Sequence, residues 1–134
     1  MLPHLAHDLA TKFPATLDRF LALDLMAAKG PPEPLQSLRE RLLASGPPAP
    51  RALTEGLALL QGTDLRGALP GLPCPSLWLA GQRDRLASPA ALQACAALAP
   101  RARVVTVAQG GHAPFLGQPD EVASLMKQFV ATLS

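Results

Sequence analysis

The chain reads as an α/β protein in which a helical first half precedes parallel strands alternating with helices. Three observations predict this. Residues 1–62 carry apolar side chains at helical spacing between proline-rich corners, and residues 63–134 switch to alternating strand-like and helix-like runs. Each of the two strand-like runs then delivers a polar loop, Gly81-Gln82-Arg83-Asp84 and Gly110-Gly111-His112-Ala113-Pro114-Phe115. With 134 residues, 49% apolar and 16% charged, the composition suits a hydrophobic core and argues against overall disorder.

Pro14 fits the first turn of a helix whose Leu17, Phe20, Leu21 and Leu25 share one face, closed by Gly30-Pro31-Pro32. Leu35, Leu38 and Leu42 mark a second helix ending at Gly46-Pro47-Pro48, and Leu53, Leu57 and Leu60 a third that stops before Gly62. Each buries a single stripe, which suits a cap laid over a cleft. Pro73-Cys74-Pro75 then introduces the strand Ser76–Ala80, ended by Gly81. Ser88 as N-cap and Pro89 at the first helical position open the next helix, with Leu92, Cys95, Ala96 and Leu98 facing inward as far as Pro100. Arg103–Val107 is the second strand. Pro119 begins the last helix, with Asp120 and Glu121 complementing its dipole and Val122, Leu125, Met126 and Phe129 turned to the core.

A strand, helix, strand crossover in a parallel sheet sends both strand-exit loops to the same sheet edge, where ligands of open α/β sheets bind. Asp84 and His112 are thereby expected to meet. Taken alone, Asp84 reads as an ordinary turn or capping carboxylate, and His112 as either a loop histidine or a base. The joint spacing favours a carboxylate that orients an imidazole, the second half of a Ser-His-Asp triad in the chain order Ser, Asp, His. No Gly-x-Ser-x-Gly elbow occurs, and none of Ser37, Ser45, Ser76, Ser88, Ser124 and Ser134 lies on a strand-to-helix turn of that kind. Gly110 and Gly111 are expected to let the backbone turn and approach a ligand, with Ala113-Pro114-Phe115 packing the loop down. His4 and His7 read as structural or exposed.

The charge pattern excludes several functions. Residues 1–60 hold six basic and six acidic side chains, residues 61–134 six and four, and aromatics make up 4% of the chain, so no nucleic-acid surface is expected. Arg83, Arg85, Arg101 and Arg103 read as a group near the site edge, either a solvated surface or a weak attraction for anions. Cys74 and Cys95 lack companions at metal-ligand spacing, so they are expected to be reduced, structural thiols, with no metal and no organic cofactor. No signal-like leader or membrane-length apolar run is present, and a cytoplasmic protein with no membrane partner is expected.

The segments Thr16-Leu-Asp-Arg-Phe-Leu-Ala-Leu23, Gly56-Leu-Ala-Leu-Leu60, Thr63-Asp-Leu-Arg66, Leu79-Ala-Gly-Gln-Arg-Asp84 and Gly111-His-Ala-Pro-Phe115 together resemble the α/β-hydrolases. Within them, the likeness is to the carboxylesterases that cleave the methyl ester of pimeloyl-acyl-carrier protein in biotin synthesis. The resemblance implies a partial α/β-hydrolase fold, with residues 1–62 as helical cap and 63–134 as the C-terminal portion of the core. It implies Asp84 and His112 as catalytic residues, Phe20 lining the acyl pocket and Arg19 facing the acidic carrier protein, Phe20 reading equally as a core contact within the cap. Acidic residues balance the basic ones in that cap, and Ala15 stands one turn before Arg19. The expected partners are an ester substrate, carrier-bound or free, and an N-terminal hydrolase half or another protein paired at the sheet edge. Without elbow serine and oxyanion hole the chain is expected to be inactive alone, as a truncated copy or as the complement of a separately encoded half. Lactonase, carbon–carbon hydrolase or haloperoxidase-like chemistry, or a non-catalytic binding fragment, are the alternatives.

Overall fold

The computed structural model describes residues 7–8, 11–25 and 33–133. The chain divides into two units, Met1–Ala22 with Pro32–Asp64, and Leu23–Pro31 with Leu65–Ser134.

The first unit contains α1 (Phe13–Leu25) up to Ala22, α2 (Glu33–Ala44) and α3 (Pro50–Gly62). Leu17 and Leu21, one turn apart, are 7% and 5% exposed and form the buried stripe of α1 together with Thr16. Phe20 stands off that stripe at 37% exposure. The side chain of Leu25 and the Gly30-Pro31-Pro32 corner lie outside the described residues, as do His4, Ser134 and the side chain of Leu35. His7 is exposed, and its carbonyl accepts a hydrogen bond from Thr11 Oγ1 at 2.8 Å. In α2, Glu33 in the first turn and Arg41 in the last complement the helix dipole. The chain leaves α2 through Gly46 at φ 76°, a left-handed conformation that a residue without Cβ adopts freely. Both oxygens of Asp18 on α1 accept from Arg39 on α2, Nη2 reaching Oδ2 at 3.1 Å, which ties the two helices together.

The third stripe of leucines is only partly covered. Leu53 and Leu57 are half-buried, but Leu60 is 74% exposed and no residue of α3 is fully buried. Helical spacing fixes which side chains share a face; the neighbours that cover the face are set by packing.

The long segment of the second unit begins with a 3-10 helix, Arg66–Gly71, for which no element is expected from the sequence. β1 (Ser76–Gly81) and β2 (Ala102–Val107) then pair in parallel, from Ser76 opposite Ala102 to Gly81 opposite Val107. Their connection runs through α4 (Pro89–Ala96), which packs on both strands. Ser88 caps α4, its Oγ accepting from Ala91 N at 3.2 Å, with Pro89 in the first turn where a missing N–H leaves nothing unpaired. The core consists of small side chains: Ala80, Ala96, Ala99, Val107 and Val122 are all 6% exposed or less.

Two helical expectations are corrected here. α4 does not extend to Pro100 but ends at Ala96, and tight turns from Ala97 onward place Ala99 in the core while Leu98 is 43% exposed. After the single turn α5 (Pro114–Gly117) comes α6 (Pro119–Ala131), whose Val122 is buried and whose Leu125 and Phe129 are half-buried. Met126 is 54% exposed, because the residues 122, 125 and 129 define a stripe that leaves position 126 on its flank. Phe115 on α5 is 58% exposed and does not pack the loop down; the buried Pro114 does so instead. Cys74 and Cys95 are free, and only Cys95 is sheltered, Cys74 lying exposed between two prolines. Among the described residues no helix is long and apolar enough to cross a membrane.

Two substitutions test this account through the denaturation midpoint. Ser88→Ala removes the cap and is expected to cost about 1 kcal/mol. Gly56→Ala, inside α3 with open space around its Cα, is expected to stabilise by about 0.5–1 kcal/mol.

Candidate functional site

Because β1 and β2 are in register, their C-terminal ends finish side by side, and hydrogen bonding continues past them. Gln82 N donates to the Val107 carbonyl at 3.0 Å and Arg83 N to the Gly110 carbonyl at 2.8 Å. The sharp turn after β2 is made by Gln109, at φ 64°, whose backbone carries the left-handed strain expected of the glycines. Gly110 and Gly111 serve a different purpose: they press against the end of β1, where a Cβ on Gly81 would run into the Gly111 carbonyl. The close approach is of loop to loop.

This contact brings together the two residues that sequence spacing had paired. Asp84 N donates to the Gly81 carbonyl at 3.1 Å, which folds the Asp84 side chain back beneath the loop. Asp84 Oδ1 accepts from Leu86 N at 2.8 Å and Ala87 N at 2.9 Å, and Oδ2 lies 3.0 Å from His112 Nδ1. The Asp84 side chain is 7% exposed and that of His112 44%. Burial alone would push the Asp84 carboxyl up, but the Ala87 and Leu86 amides and the neighbouring His112 outweigh it and hold the carboxyl below its ordinary range.

The charge state fixes the tautomer. An ionised carboxylate only accepts, so Nδ1–H donates to Oδ2, and the lone pair of the imidazole is left on Nε2. A buried, fully bonded carboxylate orienting a half-open imidazole is an arrangement that accepts a proton at Nε2 and stabilises the imidazolium so formed. The Leu86 and Ala87 amides escaped the sequence reading. Their signal was present, since an Asp two and three residues ahead of free amides in a turn commonly bonds them.

The other candidate residues fall on several elements. Arg19 and Phe20 belong to α1 in the first unit, where Arg19 is exposed. Arg83 and Arg85 flank Asp84 in the β1 exit loop, half-buried and exposed respectively. Arg101 and Arg103 do not join them: they sit at the N-terminal end of β2, the opposite end of the sheet, where Arg101 Nη1 approaches the Pro73 carbonyl at 3.5 Å. Among the described residues no group of His, Cys, Asp and Glu is arranged to hold a metal.

A profile of the Alpha/beta hydrolase family matches residues 1–125. A pimeloyl-[acyl-carrier protein] methyl ester esterase of Stenotrophomonas maltophilia is 62% identical over 127 residues, covering 95% of this chain and 49% of that protein. The chain thus spans about half the length of the curated relatives it matches. Among solved structures, a thermophilic esterase from Thermogutta terrifontis superimposes with TM-score 0.77 at 24% identity, over 96% of this chain and 48% of that one. An esterase from Exiguobacterium antarcticum does so with TM-score 0.82 at 18% identity, over 97% and 47%. The chain belongs to the alpha/beta hydrolase family, and its α/β architecture is part of that fold.

A lowered carboxyl pKa in the folded state makes Asp84 stabilising above its unfolded value of about 3.9, and that contribution is lost as pH falls through the lower folded value. Urea unfolding is therefore expected to show Asp84→Asn less stable than wild type at pH 7, with the difference shrinking as the pH is taken below 3.9 (roughly the unfolded carboxyl value).

Proposed function

We propose that this chain is a component of a carboxylic ester hydrolase acting on pimeloyl-acyl-carrier-protein methyl ester. In this reading Asp84 and His112 are the orienting acid and the general base of a Ser-His-Asp triad. The observation that carries the reading is the Asp84 Oδ2 to His112 Nδ1 hydrogen bond, with the carboxylate held by two further amides and the His112 side chain 44% exposed. The 62% identity to a methyl ester esterase of that name supports the substrate class. Residues 1–62 act as the lid and 63–134 as part of the catalytic core. The protein works in the cytoplasm, without metal or organic cofactor.

The reaction follows from the pair. A serine hydroxyl placed at Nε2 gives its proton to His112 as its oxygen attacks the ester carbonyl. The Asp84 carboxylate stabilises the imidazolium, which then protonates the departing methoxide as methanol leaves. Water attacks the acyl-enzyme with His112 again as base, releasing the acid. The serine and the oxyanion-hole donors come from outside these 134 residues, because no Gly-x-Ser-x-Gly stands within them. Phe20 lines the acyl pocket, and Arg19 meets the acidic carrier.

In the assembly that contains the serine, His112→Ala is expected to lower kcat by roughly 10⁴-fold or more and Asp84→Asn by roughly 10⁴-fold, with Gly56→Ala unchanged. Wild-type turnover in the His112→Ala protein would refute the triad assignment. Arg19→Glu is expected to lower kcat/KM about tenfold or more for the carrier-bound ester, a change of about 1.4 kcal/mol, and to leave a free methyl ester unaffected. Equal loss on both esters would remove Arg19 from carrier recognition.

A further inference from the structure

Gly81 is the last residue of β1 and is buried, and its backbone meets Asp84 on one side and the two residues that precede His112 on the other. Its carbonyl accepts the Asp84 N–H at 3.1 Å. Its other side faces the segment leading into His112: a Cβ built there would run into the Gly111 oxygen and lie 2.7 Å from the Gly110 oxygen and 2.8 Å from the Gly110 carbonyl carbon. All of these are backbone atoms, so no rotamer change makes room. Nor does conformation demand a glycine, for among the described residues the only glycine with positive φ is Gly46. The requirement at position 81 is space.

We propose that Gly81 is a positioning residue that sets the separation of His112 from Asp84. A methyl group at position 81 has to displace the 110–111 segment, and His112, the next residue, moves with it. The Asp84 side chain is tied to its own loop instead, Oδ1 by the Leu86 and Ala87 amides and its N–H by the Gly81 carbonyl. The 3.0 Å contact from Nδ1 to Oδ2 therefore opens, and the imidazole loses both its tautomer lock and its orientation. Gly110 occupies the other side of the same contact under a lighter load. Its Cβ would meet Pro114 Cβ at 3.0 Å, the Val107 oxygen at 3.1 Å and Gly81 Cα at 3.2 Å, which small shifts relieve.

The kinetic arm of the test rests on the esterase reading above; the spectroscopic arm does not. In protein labelled with 15N-histidine, the Nδ1–H signal of His112, identified by its loss in Asp84→Asn, is expected to disappear or shift strongly in Gly81→Ala. The same variant is expected to lower kcat roughly 10²-fold with KM within about threefold, the pattern of a misplaced catalytic group. Gly110→Ala is expected to show the same changes in smaller measure and serves as the test if Gly81→Ala does not fold. In an Asp84→Asn background, Gly81→Ala is expected to add less than about threefold, because the contact it positions is already gone. A folded Gly81→Ala, or Gly110→Ala in its place, that keeps both the wild-type kcat and the Nδ1–H signal overturns the proposal, as does full additivity with Asp84→Asn. If His112→Ala leaves ester hydrolysis intact, the esterase reading fails, and the imidazole signal still decides the role of Gly81.

Discussion

Two strand ends lie so close together that the backbone of Gly110 and Gly111 rests directly against Gly81, and the geometry of the site grows out of this contact. Parallel pairing from Ser76–Ala102 to Gly81–Val107 brings the ends level. The hydrogen bonds from Gln82 to Val107 and from Arg83 to Gly110 then carry the pairing beyond the sheet. A side chain at Gly81 would run into the backbone of the 110–111 segment, which leads directly to His112, while Asp84 stands on the loop that leaves Gly81. A strained residue is tolerated for the same purpose: Gln109 takes a left-handed conformation so that the chain can turn back at once onto β1.

Electrostatics follow from the same packing. Folding the Asp84 side chain under its own loop removes it from water, which by itself disfavours the charge; the three hydrogen bonds offered there, two from amides and one from His112, more than offset that cost. The result is a negative charge in a fixed place, held by three hydrogen bonds. An imidazole bonded to such a group through Nδ1 has its tautomer set, with the lone pair on Nε2.

The helical first unit is built on a different economy. Its helices are short, α2 giving way to Gly46-Pro47-Pro48 and α3 ending at Gly62, and Leu17 and Leu21 are its only fully buried leucines among the described residues. Much of what specifies it is polar and local, as in the Asp18–Arg39 pair between α1 and α2 and the i,i+4 pair of Arg51 with Glu55 on α3. Exposed pairs of this kind orient helices more than they stabilise them.

Element order, the parallel crossover and the identity of the Asp84–His112 pair were legible in the residues, because each depends on local signals. Those signals are the length of an apolar run, a Ser-Pro helix start, a glycine ending a strand, and the spacing of a carboxylate and an imidazole across one crossover. What could not be read depends on who lies next to whom. Leu98 and Ala99 are both plausible inward residues until a turn at Ala97 chooses Ala99. Arg101 and Arg103 sit near Arg83 and Arg85 in any plausible grouping of the chain, yet parallel pairing sends them to the far end of the sheet. Gly81 and Gly110 look like turn residues, whereas a Cβ at either would press on the neighbouring loop, at Gly81 on its backbone, and the turn itself falls on Gln109. Periodicity and punctuation act over a few residues and belong to the sequence; register, clearance and burial arise from contacts between segments distant along the chain, and exist only once the strands have paired.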